Sequence, residues 1–357
     1  PRAEQKHNVV IVLMESMSSK FLTENRYPGQ PVITPTLDRL SKEGLFFSRT
    51  YASGTRSVRG IEAVNLSIPP LPGQSIVRRP GNENLHGLGS VFAEKGYDNK
   101  WIYGGYGYFD NMNAFLGGNG FRVVDRTAWA DGEITFANAW GAADEDTFAK
   151  VIKEADKSYA SGKPFLTLLL TISNHRPYTY PSGKVSLTGG REGGVQYADY
   201  AIGEFLRRAE SKPWFDNTIF VFVADHTAGA AGDEEIDLEG HHIPWIIYAP
   251  KLVKARRIDM PVSQLDVLPT LLGLLNFDYE SRFYGQDALS PDYESRFFVS
   301  NFQKIGYVKN GAGVILKPVR DYAVLPAGTQ STHVQTLLDE AVAFYQSASH
   351  WKHFLKK

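Results

Sequence analysis

Acidic, hydroxyl and imidazole side chains stand close to the ends of strand-like apolar runs in this sequence. Glu15 follows the run at positions 8–14, and Asp225 with His226 follows the run at 218–224. Thr55 lies in the segment Ser-Gly-Thr-Arg-Ser, just before a helix-like stretch. Carboxylates and an imidazole can together hold a divalent cation, and such a cation can turn a threonine hydroxyl into a nucleophile. The pattern therefore predicts a metal-assisted nucleophilic site.

The same residues have plainer interpretations, which the sequence leaves open. Asp225 and His226 can form a surface turn after a strand, and Glu15 can cap a helix. Thr55 can also be a helix cap, because serine and threonine are common at helix N-termini. A helix N-terminus next to Thr55 would also favour its alkoxide and an incoming phosphate, so capping and catalysis are compatible there.

Strands and helices alternate around these residues. Continuous apolar, β-branched runs indicate buried strands, and apolar residues at helical spacing indicate helices. Strands are predicted at 8–14, 45–47, 99–103, 164–172, 218–224 and 243–248, and helices at 34–44, 56–66, 88–95, 144–159, 195–210 and 265–275. The alternation predicts an α/β fold with a mostly parallel central sheet and helices on both faces. Ligands bind such sheets at the carboxyl edge of the strands.

The pattern changes after about residue 290. Short strands at 297–299, 305–308 and 314–316, separated by turn residues, predict a small antiparallel subdomain. Residues 333–354 are predicted to form a terminal helix. We therefore expect a catalytic α/β domain over residues 1–290 and a small β subdomain with its helix over 291–357.

Composition excludes several classes of protein. The 357 residues include no cysteine, which rules out disulfides, thiolate zinc sites and cysteine nucleophiles. The formal net charge of −1 argues against a broad basic surface, so nucleic acid is not an expected partner. No apolar run reaches the roughly 18 residues of a membrane helix. The polar start directly before a core strand suggests that an upstream part has been removed.

A series of short motifs, taken in order, resembles the lipoteichoic-acid-synthase-like branch of the alkaline phosphatase and sulfatase superfamily. The motifs are Val-Leu-Met-Glu15-Ser, Ser-Gly-Thr55-Arg-Ser, Phe109-Asp110-Asn111-Met112, Trp140-Gly141 with Asp144, Ser-Asn-His175-Arg-Pro, Ala-Asp225-His226, and His241-His242-Ile-Pro with Ser263-Gln264-Leu265-Asp266. The resemblance extends from about residue 8 to at least residue 275. It implies an alkaline phosphatase/sulfatase-like fold.

The resemblance also implies a metal site. In that family one metal ion, commonly manganese, is held by a glutamate, the nucleophilic threonine and an Asp-His pair. These positions correspond to Glu15, Thr55, Asp225 and His226. Magnesium and zinc are the alternatives to manganese. Asp266 is expected to cap its own helix rather than to bind metal.

Substrate contacts follow from the same resemblance. His175 and His241 would face the substrate phosphate, with His175 as a proton donor to the leaving group. Whether His241 or the adjacent His242 takes this part stays open. Arg56 is either a phosphate contact or a solvated charge.

The loop at 103–111 departs from the Gram-positive pattern. Lipoteichoic acid synthases of that type carry His-x-Asp and Trp-x-Arg there, whereas this chain is closer to Gram-negative relatives such as osmoregulated-glucan phosphoglycerol transferases. Asp110 and Asn111 are candidates for polar contacts to a glycerol. Sulfatases use a Cys or Ser converted to formylglycine. Thr55 cannot be converted in that way, which counts against sulfate ester hydrolysis.

The expected function is metal-dependent transfer of the phosphoglycerol head group of phosphatidylglycerol, through a covalent Thr55 intermediate, to a glycan or polyglycerolphosphate hydroxyl. The expected location is the inner membrane, with this domain facing the periplasm and tethered by a missing N-terminal transmembrane region. The alternatives are a phosphoethanolamine transferase or phosphodiesterase with the same site, and a non-catalytic lipid-binding regulatory domain.

Overall fold

Strands form two sheets in the computed structural model, which describes residues 3–229, 236–326 and 328–357. The larger sheet contains β1 (Asn8–Met14), β2 (Leu45–Tyr51), β3 (Asp98–Tyr103), β4 (Arg122–Val124), β5 (Phe165–Leu170), β6 (Thr218–Ala224), β7 (His242–Tyr248), β8 (Arg256–Ile258) and β9 (Val262–Ser263). The smaller sheet contains β10 (Arg296–Ser300), β11 (Ile305–Lys309), β12 (Ala312–Lys317) and β13 (Asp321–Leu325).

Helices connect most of the strands of the larger sheet. The α-helices of the described residues are α1 (Pro35–Glu43), α2 (Ser57–Leu66), α3 (Leu88–Glu94), α4 (Met112–Gly117), α5 (Asp144–Ala160), α6 (Gly190–Ala209), α7 (Val267–Leu274), α8 (Ser331–Ser349) and α9 (Trp351–Phe354). Within the described ranges, no helix combines the length and the apolar content that crossing a membrane requires.

The larger sheet is mostly parallel, as predicted. Its strand order is β4-β3-β5-β1-β6-β7-β2-β8, and β9 pairs with β2. The strands from β4 to β6 run parallel to one another. β7 runs antiparallel to both of its neighbours, β6 and β2, which the strand–helix alternation did not predict. Among the described residues between β6 and β7 there is no α-helix, although a 3₁₀ turn lies at Glu239–His241. An antiparallel neighbour does not need the helical crossover that a parallel one does.

Burial explains why the central strands were easy to predict. Every residue of β1, β5 and β6 is buried. A strand covered on both faces must be apolar throughout, which gives the continuous runs seen in the sequence. The side chains that follow these runs are therefore the first ones free to form a site at the sheet edge.

The smaller sheet is antiparallel throughout, with the order β10-β11-β12-β13. It forms an apolar cluster with α8, in which Tyr345 is buried and donates to the carbonyl oxygen of Gly306 at 2.7 Å. The predicted terminal helix is divided at His350 into α8 and α9. The predicted α/β fold, with a mostly parallel sheet and a small antiparallel sheet near the C-terminus, is thus confirmed.

Candidate active site

Adjacent strands β1 and β6 bring the first functional residues together. Met14 pairs with Ala224 in parallel register, so Glu15 and Asp225 leave the sheet side by side. The amide of Asp225 also donates to the carbonyl oxygen of Met14 at 3.2 Å. Parallel pairing therefore makes neighbours of two carboxylates from distant parts of the sequence.

Glu15, Asp225 and His226 form what we call the Glu-Asp-His cluster. One ligand-type atom from each lies within 4.8 Å of the others. His226 Nε2 is 3.7 Å from Glu15 Oε1 and 3.4 Å from Asp225 Oδ2. Both carboxylates are buried, and no hydrogen bond from the described residues reaches Asp225 Oδ2. The cluster therefore contains a buried acceptor oxygen that has an ion-pair neighbour in His226 but no hydrogen-bond donor.

The pKa shifts within the cluster also favour the presence of a cation. Burial, reinforced by the charge of Glu15, raises the pKa of Asp225 to about 7. Burial alone would lower the pKa of His226, but the carboxylates of Asp225 and Glu15 raise it above its ordinary value. Burial also opposes ionisation of Glu15, yet the charge of His226 and local hydrogen bonds hold the pKa of its carboxyl below the ordinary value. A cation at this point would relieve the repulsion between the carboxylates.

The donor atoms of the cluster fit a divalent metal ion. His226 Nδ1 donates to the carbonyl oxygen of Thr227 at 2.8 Å, which leaves Nε2 as the nitrogen that can bind a metal. The amides of Ser16 and His226 occupy Asp225 Oδ1 at 2.9 and 2.7 Å, so Oδ2 is the oxygen that can take a ligand. Carboxylate and imidazole donors suit manganese, magnesium or zinc.

Thr55 lies in the loop between β2 and α2 and lines the same cleft as Glu15 and His226. Ser57 Oγ donates to Glu15 Oε2 at 3.1 Å, which ties this loop to the cluster. Arg56, rather than Thr55, is the N-cap residue of α2, and the helix has no side-chain cap. The capping interpretation of Thr55 is therefore wrong, and its hydroxyl remains available to the cleft.

Gln264 fixes the Thr55 loop against the end of β6, and the sequence did not single it out for this part. Its side-chain oxygen accepts from the amide of Ser53 at 3.0 Å, and its nitrogen donates to the carbonyl oxygen of Asp225 at 2.9 Å. Gly60 of α2 packs so closely that a Cβ atom there would lie 2.5 Å from the Asp225 carbonyl oxygen. These contacts tie the Thr55 loop directly to the chain at Asp225.

His175 enters the cleft from the loop that follows β5. Its Nδ1 donates to the carbonyl oxygen of Arg176 at 2.9 Å, and its ring packs on Trp140 with the centroids 3.9 Å apart. The buried carboxylate of Asp144 accepts from two backbone amides at the start of this loop, at 2.8 and 3.0 Å. His175 is therefore positioned with Nε2 as the ring nitrogen available to a substrate.

The cleft has a volume of about 390 Å³. Three arginines line it, namely Arg56, Arg176 and Arg191. Arg191 stacks over the ring of Tyr178, 4.7 Å from its centroid. Its Nη1 is buried and has no hydrogen-bond partner in the described part of the chain. The sequence analysis missed Arg191 because α6 begins at Gly190, five residues before the predicted start at position 195.

Asp110 also lines the cleft, and two arginines hold it. Arg78 Nη1 and Arg56 Nη2 lie 3.2 and 3.8 Å from its carboxylate oxygens. Asp110 and Asn111 both have left-handed backbone conformations, with φ of 51° and 62°. Asn111 does not line the cleft; it donates to the carbonyl oxygen of Val77 at 2.8 Å and so stabilises this turn.

His241 and His242 lie outside the cleft. Both ring nitrogens of buried His241 face backbone carbonyl oxygens, those of Asp237 at 2.8 Å and Ser300 at 3.2 Å. His242 lines a neighbouring cavity of about 460 Å³ and contacts the carbonyl oxygen of Ser48 at 2.7 Å. The structure therefore brings neither histidine to Thr55.

Asp266 likewise lies away from the Glu-Asp-His cluster. Its Oδ2 accepts from the amide of Ser263 at 2.8 Å, as in a capping box. Its other oxygen accepts from the amide of Gln286 at 2.8 Å. Asp266 thus completes a capping box whose N-cap is Ser263, whereas at the N-cap position of α7 itself it makes no side-chain cap hydrogen bond.

Comparison with known proteins identifies the class to which this fold and site belong. A crystal structure described as a protein in the alkaline phosphatase superfamily, from Vibrio parahaemolyticus, is 31% identical and superposes with a TM-score of 0.91 over 100% of this chain and 90% of that one. The sulfatase family profile matches residues 7–277. The chain belongs to the sulfatase family.

Several proteins of similar sequence carry the name of one enzyme. Phosphoglycerol transferase I from Citrobacter koseri is 27% identical over 62% of this chain and 31% of its own length, and that from Xanthomonas campestris pv. campestris is 24% identical over 81% and 43%. The chain thus spans well under half the length of these relatives. The lipoteichoic acid synthase LtaP from Listeria monocytogenes shares the fold, with 19% identity and a TM-score of 0.82 over 99% of this chain and 93% of that one.

Proposed function

We propose that this chain is the catalytic part of a metal-dependent phosphoglycerol transferase. One observation carries the proposal: Thr55 shares a cleft with the Glu-Asp-His cluster, in a family whose curated relatives here are named phosphoglycerol transferase I. The donor is phosphatidylglycerol, and the acceptor is a hydroxyl of a glycan or of a growing glycerol phosphate polymer. Such substrates place the chain at the periplasmic face of the inner membrane.

Glu15, Asp225 and His226, together with the Thr55 oxygen, would hold one divalent ion, for which manganese is the proposed identity. The donor set and the unpartnered Asp225 Oδ2 support this assignment. When bound, the ion supplies positive charge that lowers the cost of ionising the Thr55 hydroxyl and of gathering charge on phosphorus. A non-catalytic relative would be expected to lack this ligand set.

Transfer proceeds in two displacements at phosphorus. In the first, Thr55 Oγ forms a bond to phosphorus while the bond from phosphorus to the diacylglycerol oxygen breaks. The threonine proton reaches the leaving oxygen through His175, so diacylglycerol departs neutral. In the second, an acceptor hydroxyl attacks the phosphoglycerol-Thr55 ester, and its proton returns to the threonine oxygen. The phosphodiester bond is thus exchanged without loss of its energy to water.

Arg191 is proposed to bind a non-bridging phosphate oxygen. Arg191 lines the cleft, its guanidinium lies over the ring of Tyr178, and its Nη1 lacks a hydrogen-bond partner among the described residues. A guanidinium with unused donors is suited to phosphate, because charge-assisted hydrogen bonds are strong and directional. Arg56 and Asp110 also line the cleft, 3.8 Å apart, and are proposed to contact glycerol hydroxyls.

Arg191→Gln is expected to lower kcat/KM for phosphatidylglycerol by about 10- to 100-fold, since one charged hydrogen bond contributes roughly 1.5–3 kcal/mol. The kcat/KM of Arg191→Lys should lie between the values of the wild type and of Arg191→Gln, because lysine keeps the positive charge but lacks the planar, forked guanidinium. Steady-state rates measured over a range of lipid concentrations would give the comparison. Arg208→Gln, an exposed position on the same helix, is the matched control. Equal losses for Arg191→Gln and Arg208→Gln would contradict the phosphate contact.

Head-group release tests the proposed function directly. The metal-free chain would be incubated with vesicles of labelled phosphatidylglycerol or phosphatidylethanolamine, with and without added Mn²⁺. We expect manganese-dependent release of glycerol phosphate from phosphatidylglycerol alone. Release of phosphoethanolamine instead would reassign the donor, and water as sole acceptor would indicate a phosphodiesterase. Absence of release from both lipids with metal bound would overturn the transferase proposal in favour of a non-catalytic lipid-binding domain.

A further inference from the structure

Exposed aromatic rings cluster beside the mouth of the cleft. Tyr106, Tyr108 and Phe109 are 43%, 71% and 42% exposed, and the two tyrosine rings stack with their centroids 5.8 Å apart. Single exposed apolar residues are ordinary on a protein surface, whereas a contiguous group marks an interaction site. Phe109 lines the cleft itself, so the group is continuous with the proposed active site. Neither tyrosine is part of the cleft lining.

The backbone holds these rings in a fixed orientation. The amide of Gly107, between the two tyrosines, donates to Asp125 at 2.7 Å, and its carbonyl oxygen accepts from Asn113 at 2.8 Å. A Cβ atom at Gly107 would lie 2.8 Å from the Asp125 carboxylate, so no side chain fits there. The loop therefore presents its tyrosines on a tightly packed base, which keeps the entropy cost of docking low.

One arginine contacts these rings, and two others contact Asp110, the residue after Phe109. The guanidinium of Arg126 lies 5.4 Å from the centre of the Tyr106 ring. The side chains of Arg56 and Arg78 are 63% and 38% exposed, and the acid between them, Asp110, is only 11% exposed. The chain as a whole has a formal net charge of −1, so this is a local cationic and aromatic surface rather than a general one. We call Tyr106, Tyr108 and Arg126 the tyrosine–arginine rim.

Tyrosine and arginine together are typical of the head-group layer of a membrane, where the rings are half buried and the guanidinium meets anionic phosphate. The dimensions of the cleft support this partner. A volume of about 390 Å³ accommodates a head group but not two acyl chains. Because the reacting phosphorus is only a glycerol unit away from those chains, the mouth of the cleft must reach the head-group layer.

We propose that the tyrosine–arginine rim docks this chain onto an anionic phospholipid bilayer, so that a head group can enter the cleft while its acyl chains stay in the membrane. The inference rests on the proposed function for the identity of the donor, but its evidence is the exposure and packing of the rim. The rim is a docking surface, distinct from the residues that contact the reacting phosphate.

Vesicle binding tests the docking without any chemistry. The 357-residue chain would be sedimented with vesicles of phosphatidylglycerol and phosphatidylcholine, and with vesicles of phosphatidylcholine alone. We expect binding to the anionic vesicles to fall roughly tenfold in the double variant Tyr106→Ser, Tyr108→Ser. The double variant Tyr27→Ser, Tyr322→Ser removes two other exposed rings, 81% and 46% exposed, and is expected to bind like the wild type. Equal binding by wild type and rim variant would overturn the proposal.

Turnover separates this proposal from the proposed function. The ratio of head-group release from vesicles to hydrolysis of the soluble diester bis(p-nitrophenyl) phosphate should fall roughly tenfold in the rim variant. If the wild type binds vesicles through the rim but releases no head group, the docking stands and the proposed function fails. If the rim variant keeps vesicle binding and vesicular release but loses transfer to a glycan, the docking fails and the rings belong to the acceptor.

Discussion

Thr55→Ala is expected to lower phosphoglycerol transfer by at least about 10³-fold while leaving the melting temperature essentially unchanged. The loss is large because the variant removes the atom that forms the bond to phosphorus. The fold should persist, since Thr55 is only half-buried and does not cap α2. Release of labelled glycerol phosphate and thermal unfolding of the same preparations would be measured side by side.

Two further variants sharpen this test. Thr55→Ser keeps a hydroxyl and should retain a measurable fraction of the transfer, with the label trapped on the serine when acceptor is withheld. Thr336→Ala removes an exposed threonine from α8 and is expected to change neither activity nor stability. Substantial transfer by Thr55→Ala, with a normal melting temperature, would rule out the covalent mechanism.

The central strands and the Glu-Asp-His cluster were predictable because they depend on a strong local signal. Strands buried on both faces give unbroken apolar runs, and the first polar residues after such runs lie at the sheet edge by geometry alone. Glu15, Asp225 and His226 all follow from this argument. The short strands β4, β8 and β9 have two or three residues each, too few for a period to show, and the sequence analysis missed them.

The arginines of the site were not predictable in the same way. Arg191 reaches the cleft from the first turn of α6. Arg78 ends a short helical turn and contacts Asp110, which lines the cleft. Nothing in their local sequence distinguishes these side chains from solvated charges, because their role depends on which loops the tertiary fold brings together. His241 shows the converse: its position in a motif suggested the cleft, but its ring bonds to backbone carbonyl oxygens elsewhere.

Buried polar side chains link the strand ends into one unit, and they explain how a site made from distant loops stays ordered. Thr171 accepts from the amide of Glu15 at 2.9 Å, and Asn174 donates to the Glu15 carbonyl oxygen at 2.9 Å. Gln264 makes the corresponding connection between the Thr55 loop and Asp225. Each hydrogen bond costs little to form within the folded sheet, and each lost partner would leave a buried group unsatisfied. These hydrogen bonds therefore fix the strand ends that carry the proposed metal ligands.

Asp225→Asn is expected to abolish stabilisation by Mn²⁺ without destabilising the metal-free protein. At a free metal concentration of about 100 times Kd, the wild type should gain about 2.7 kcal/mol in the free energy of unfolding. The asparagine oxygen can keep the hydrogen bonds from the amides of Ser16 and His226. The neutral side chain removes the repulsion with Glu15, which offsets the loss of the 3.4 Å ion pair with His226. Titration calorimetry with Mn²⁺ and thermal unfolding with and without the metal would report both effects independently of catalysis.

Asp144→Asn is the matched control, because Asp144 is also fully buried and also has one oxygen without a hydrogen-bond partner among the described residues. It lies outside the Glu-Asp-His cluster, so its variant should keep the full manganese-dependent rise in melting temperature. Comparison of the two variants tests whether Mn²⁺ binds specifically at the Glu-Asp-His cluster or at any buried carboxylate. A full metal-dependent rise in Asp225→Asn would show that the cation binds elsewhere, and the proposed role of this cluster would then have to be abandoned.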